Sequence, residues 1–224
     1  MDKLPFTVYD FFACLSAGLV ALAGLGAAFA GSERWQETPS TVVALVLLVL
    51  IYAAGHIVAN LSGHFYEGIA VRRWLKAPSV NLMAQDRPSD WKAKLFPGYF
   101  RPLPDGVRAR VVGRATRSGI VDTREDLFLV AFAAVKNDPQ TYARLSTFLN
   151  LYGFCRNVSL AALFASACLL VGIALGTAHT GTLISPGWWA AGSFLLALGL
   201  FYRYLKFFRQ YAVEVFLTYG ATDS

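Results

Sequence analysis

Four apolar stretches free of Asp, Glu, Lys and Arg, set two and two around a basic middle, constrain this chain more than any other feature. They cover residues 11–30, 41–62, 158–177 and 188–202. An α-helix rises 1.5 Å per residue, so an apolar run of about 20 residues crosses the ~30 Å hydrocarbon core of a bilayer. The pattern predicts an all-α integral membrane protein: four transmembrane helices as two hairpins, with a small helical cytoplasmic domain between them. The expected divisions are 1–67 (first hairpin), 68–157 (basic domain) and 158–224 (second hairpin with a helical tail).

Charge placement predicts the orientation. Of 20 Lys and Arg, fifteen lie between Arg72 and Arg156, and Arg203, Lys206 and Arg209 follow the last stretch. The connection 178–187 has none, and the connection 31–40 has only Arg34. By the positive-inside rule both termini and the middle segment are expected in the cytoplasm of a bacterial inner membrane. Ala28-Phe29-Ala30 resembles a signal-peptidase site, but the apolar run is longer than a usual signal core, and Met1-Asp2-Lys3 lacks net positive charge. The first stretch is therefore expected to be retained.

Three cysteines in reducing or lipid surroundings argue against a disulfide framework. No CxxC, Cys-His spacing or phosphate-binding glycine loop is present, so neither a cofactor nor a metal is expected.

In the basic segment, Pro78, Pro88, Pro97, Pro102 and Pro104 exclude long helices from the first half. There, aromatic and basic residues interleave at 91–96 and 99–101, which predicts rings at lipid headgroup depth. Asp122-Thr123-Arg124-Glu125 reads as a capping box ahead of a helix with Leu127, Phe128, Val130, Ala131, Ala134 and Val135 on one face. Asp138-Pro139 reads as N-cap and N1 of the next helix, which Gly153-Phe154 is expected to break or bend. Beyond Tyr202 the last helix is expected to continue, either against neighbouring subunits or on the headgroups.

The second stretch carries the least ordinary pattern: Tyr52, His56, Asn60, His64 and Glu67. At about 100° per residue, Asn60, His64 and Glu67 fall within about 80° of His56, making one polar stripe. Asp10, Arg156 and Asn157 are expected at similar depth, giving a polar cluster in the inner leaflet. Such residues at membrane depth usually face a bundle interior or water. Three readings stay open: helix pairing and capping, a water-filled or ion-conducting path, and a metal-dependent hydrolase. Against the last, His56 and His64 are separated by about 12 Å of rise unless the helix distorts at Gly63.

Two further patterns bear on partners. Small residues recur at Ala13, Ala17, Ala21, Gly24 and Ala28, and at Ala161, Ala165, Cys168, Gly172 and Gly176; such faces favour close helix association and hence a homo-oligomer. Arg108, Arg110, Arg114 and Arg117 form a basic group in a segment (68–157) with 15 basic and 7 acidic residues, a net +8. It points to membrane lipid, with a nucleotide, nucleic-acid or protein signal as alternatives.

In layout alone the chain resembles small bacterial membrane proteins that act as effectors in antiphage defence. The resemblance implies a homo-oligomeric inner-membrane pore or membrane-disrupting effector gated from the cytoplasm. A non-catalytic scaffold anchoring a soluble partner, or a membrane-embedded hydrolase, is the alternative; enzymatic activity is the less expected outcome.

Overall fold

The computed structural model describes residues 8–30, 40–117, 124–179 and 184–221, with the side chains of residues 8–10, 124 and 125 left aside. Among them every regular element is helical, and no strand occurs. The order is α1 (Val8–Phe29), α2 (Thr41–Ser62), a π-helical segment (Gly63–Leu75), α3 (Pro78–Leu82), α4 (Trp91–Leu95), α5 (Asp105–Arg117), α6 (Arg124–Val135), α7 (Pro139–Leu175) and α8 (Pro186–Ala221). Arg124 begins α6, while Asp122 and Thr123 of the expected capping box lie outside the described residues.

Local chemistry sets the helix ends. The Ser40 hydroxyl accepts from the Val43 amide at 3.4 Å and the Asp90 carboxylate from the Ala93 amide at 3.1 Å. Both satisfy donors that a helix start leaves open. The Asp138 carboxylate accepts from the Thr141 amide at 2.9 Å and starts α7 at Pro139, as its sequence predicts. Those bonds from Thr141, hydroxyl and amide, hold the Asp138 carboxyl below the usual carboxylate range. Gly176, at φ +71°, ends α7, and the Thr177 amide reaches back to the Gly172 carbonyl at 2.9 Å. That left-handed terminus suits glycine.

Two compact units make up the chain: 1–66 with 153–204, and 67–152 with 205–224. In the first, α1 packs in opposite sense on α2 and in the same sense on α7. A Cβ added at Gly18 would lie 1.8 Å from the Ile51 carbonyl oxygen, and one at Gly55 would lie 1.9 Å from that of Cys14. One at Gly24 would lie 2.5 Å from the Ala165 Cα, and one at Gly172 would lie 2.7 Å from the Ala28 carbonyl oxygen. Ala17, Ala21, Val158 and Ala161 form a buried cluster. The two stripes of small residues thus lie against each other inside one chain. They are satisfied there, and neither is left over as an argument for association. Serine hydroxyls join α7 to α8: Ser159 donates to the Ala197 carbonyl at 2.7 Å and Ser166 to the Ala190 carbonyl at 2.9 Å.

The second unit has an apolar core from α3, α5, α6, the start of α7 and the end of α8. Leu82, Val111, Ala131, Leu145, Val215 and Phe216 are at its centre. Residues 205–221, expected on headgroups or a neighbouring subunit, instead give Ala212, Val215, Phe216 and Tyr219 to this core. Tyr99 and Phe100, expected at headgroup depth, are buried, and the Tyr99 hydroxyl donates to the Lys76 carbonyl at 2.8 Å. Burial pushes the Tyr99 hydroxyl pKa far up. Trp91, from the same aromatic-basic stretch, is 63% exposed.

One expectation is corrected. α7 runs unbroken through Gly153. An interior glycine costs only about 1 kcal/mol relative to alanine, which packing readily outweighs; here Phe154 lies against the alanine cluster. Among the described residues three helical stretches are long and apolar enough to cross a membrane: Phe11–Phe29, Thr41–Leu82 and Pro139–Leu175; the fourth expected span, in α8, is not among them. The apolar part of α8 is confined to 188–202 before Arg203. At 1.5 Å per residue its 15 residues span about 22 Å, and Gly192, Ser193 and Gly199 dilute it.

Candidate functional site

α2 has two chemically different sides. Counting from His56, Gly55 falls at about 260° and Ser62 at about 240°, with Tyr66 one turn on in the π-helical segment. This is the packed side. Gly55 meets α1, the Ser62 hydroxyl lies 2.6 Å from Asn157 Oδ1, and the Tyr66 hydroxyl lies 3.0 Å from Ser159 Oγ. Ser62 Oγ is also 2.8 Å from the Ala59 carbonyl, so its single proton serves one of two acceptors, while Arg156 Nε donates to it at 3.0 Å. Arg156 Nε lies 3.3 Å from Asn157 Oδ1 as well. Ser62 is fully buried and Asn157 nearly so. The three residues make a polar knot where α2 gives way to the wider helix.

The predicted stripe is on the other side. His56, Asn60 and His64 are exposed, and Tyr52 is half-buried. The His56 ring stands edge-on to Tyr52 at 4.6 Å, and its Nδ1 lies 3.9 Å from the Cys14 Sγ. The His64 ring stands edge-on to Phe65 at 5.7 Å. The Asn60 backbone carbonyl accepts from the Gly63 amide, while its side chain makes no hydrogen bond among the described residues. Beside these side chains the helix surface is apolar and uncovered: Ile57 and Leu61 are 63% and 44% exposed.

Sequence reasoning expected one inner-leaflet cluster, and the structure divides its members. Arg156 and Asn157 join Ser62 on the packed side, while His56, Asn60 and His64 point away from it. Glu67 belongs to the second unit, and Asp10 lies in α1 with its side chain outside the described residues. Ser62 and Cys14 were missed. Ser62 could have been found from its angle, since it shares the side of Gly55. Cys14 carries no such signal, because its contact with His56 depends on the close approach at Gly18 and Gly55. Among the described residues no three His, Cys, Asp or Glu side chains gather as a metal would require.

The basic group of α5 also divides. Arg108 donates to the Ala84 carbonyl at 2.6 Å and pairs with Asp105 at 2.7 Å. Arg114 donates to the Tyr219 carbonyl at 2.6 Å and lies 4.5 Å over the Tyr219 ring. Both hold the second unit together. Arg110 and Arg117 are exposed. No protein-family model, curated protein or solved structure matches this chain.

Proposed function

We propose that this protein is a pore-forming, self-associating protein of the bacterial inner membrane, gated from the cytoplasmic side, without catalytic activity. One observation carries the reading: on a helix apolar enough to span a bilayer, His56, Asn60 and His64 stay uncovered by the rest of their own chain. Polar side chains facing hydrocarbon are costly, and they are found facing water, a partner helix or one another. A second copy, or a water-filled path shared among copies, supplies that environment.

In this reading α8 makes a short fourth crossing. Trp188 and Trp189 serve as its outer anchor, with Arg203 and Lys206 at the inner headgroups, the local bilayer thinning to match. Both termini and residues 67–152 are then cytoplasmic. A signal received there acts through the Gly63–Leu75 segment, which continues α2. Long π-helical stretches are rare and tend to mark functional sites, and a change in winding there turns the stripe about the helix axis. The setting, an effector that disrupts the membrane as in antiphage defence, comes from layout alone.

Flux of a small ion from liposomes holding the purified protein tests the proposal. The native chain should release ions, and the His56→Leu/Asn60→Leu variant should lose most of that release while still inserting. Equal flux from both removes the stripe from the path. No flux from either, with a soluble protein captured in stoichiometric amount, makes the chain a scaffold.

A further inference from the structure

Within the second unit a cavity of about 640 Å³ opens between the π-helical segment, α3, α6 and the end of α8. That volume is in the range of small-molecule sites, roughly 300–1,000 Å³. Its walls are mostly apolar: Val71, Phe128, Leu129, Phe208 and Tyr211 contribute, with Phe128 and Tyr211 rings 6.3 Å apart. Its charges come from one segment and the residue after it, Glu67, Arg72 and Lys76, a local excess of one positive charge.

Lys76 sits there in a conformation that ordinary side chains avoid, at φ 61°. A left-handed non-glycine residue is strained and persists only where its surroundings fix it. Here the Tyr99 hydroxyl bonds to its carbonyl. Glycine would serve the backbone better, so what lysine adds is a cationic side chain on a residue that lines the cavity. Between the two cations in sequence, Trp74 is 63% exposed, and Lys92 Nζ donates to its carbonyl at 3.1 Å. Exposed Trp74 and Trp91 with Arg73, Lys92 and Lys94 have the composition of a membrane–water interface.

We infer that this cavity binds one anionic phospholipid, the headgroup between Arg72 and Lys76 and an acyl chain along Val71, Phe128 and Leu129. A nucleotide fits less well. Apart from the three charged side chains, Ser79 and Tyr211 are the hydroxyl-bearing residues of the lining, and reading a base needs more donors and acceptors than that. The inference stands apart from the pore reading, since a scaffold could hold the same lipid.

Counting phospholipids retained by the full-length protein after detergent washing, by intact mass, tests it. The native chain should keep one phosphatidylglycerol in preference to phosphatidylcholine. Arg72→Gln/Lys76→Gly, which also relieves the backbone at residue 76, should lower that preference about tenfold, with helix content unchanged. Leu129→Trp, at a 63% exposed position, should lower retention of both lipids by narrowing the acyl path. Unchanged phosphatidylglycerol in both variants overturns the assignment. So does displacement of the lipid by millimolar inorganic phosphate, which would make the site a plain anion site, or by ATP, which would make it a nucleotide site.

Discussion

Adding one methyl group at Gly55 should separate α1 from α2. The new carbon would lie 1.9 Å from the Cys14 carbonyl oxygen, 2.5 Å from its carbon and 3.0 Å from its Cα. All three atoms belong to a helix backbone, which cannot swing aside as a side chain would. Restoring ordinary contact near 3.4 Å requires the helices to part locally by about 1.5 Å, and a gap of 0.5–1 Å already forfeits a quarter to a half of each dispersion contact. Overpacking of this kind typically costs about 1–3 kcal/mol, and Gly55→Ala should fall at the upper end, near 2–3 kcal/mol. For a chain of this size that lowers the unfolding midpoint by about 4–12 °C. Gly192 and Gly199 are controls on α8, where an added Cβ meets nothing within 4 Å. Alanine there should be neutral or stabilising by up to about 1 kcal/mol. Thermal unfolding in detergent, followed by circular dichroism, compares the three. A Gly55→Ala midpoint equal to that of Gly199→Ala would refute the close crossing.

Other expectations are independent of that one. Arg114→Ala should destabilise the second unit by about 1–3 kcal/mol, since it removes both the bond to the Tyr219 carbonyl and the cation–ring contact; Arg110→Ala should stay within about 0.5 kcal/mol, and equal effects in denaturant titrations would contradict the division of the basic group. Phe216→Ala, at a fully buried position, should cost about 3–5 kcal/mol in the same titrations. The Asp138 carboxyl titrates lower folded than unfolded, so its contribution is present above the unfolded value and lost as pH falls through the folded one. Thr141 amide exchange should therefore be protected from neutral pH down to about 4 and lose protection below it, whereas Asp138→Asn should flatten that profile.

Helix-forming segments and the start of α7 were legible because their causes are local: an unbroken apolar run, Asp138 ahead of Pro139, proline spacing. The stripe on α2 was legible as a pattern for the same reason. Its environment was not, because that depends on which side of α2 receives α1 and α7, and Gly55 and Ser62 decide this by close approach. The roles of Arg108 and Arg114 were hidden for a like reason, their acceptors being backbone carbonyls at residues 84 and 219. Gly153 misled because an interior glycine signals a break only where packing does not hold the helix. The tail beyond Tyr202 looked like a surface helix, since the partners of Val215 and Phe216 lie about a hundred residues earlier.

Disulfide cross-linking in native membranes, with Cys14, Cys155 and Cys168 replaced, tests most directly whether the stripe faces another copy of the chain. Asn60→Cys should give covalent dimers under mild oxidation, while Leu61→Cys, about 100° around the helix, should not. Monomer alone at position 60, or equal dimer at both positions, would contradict the account.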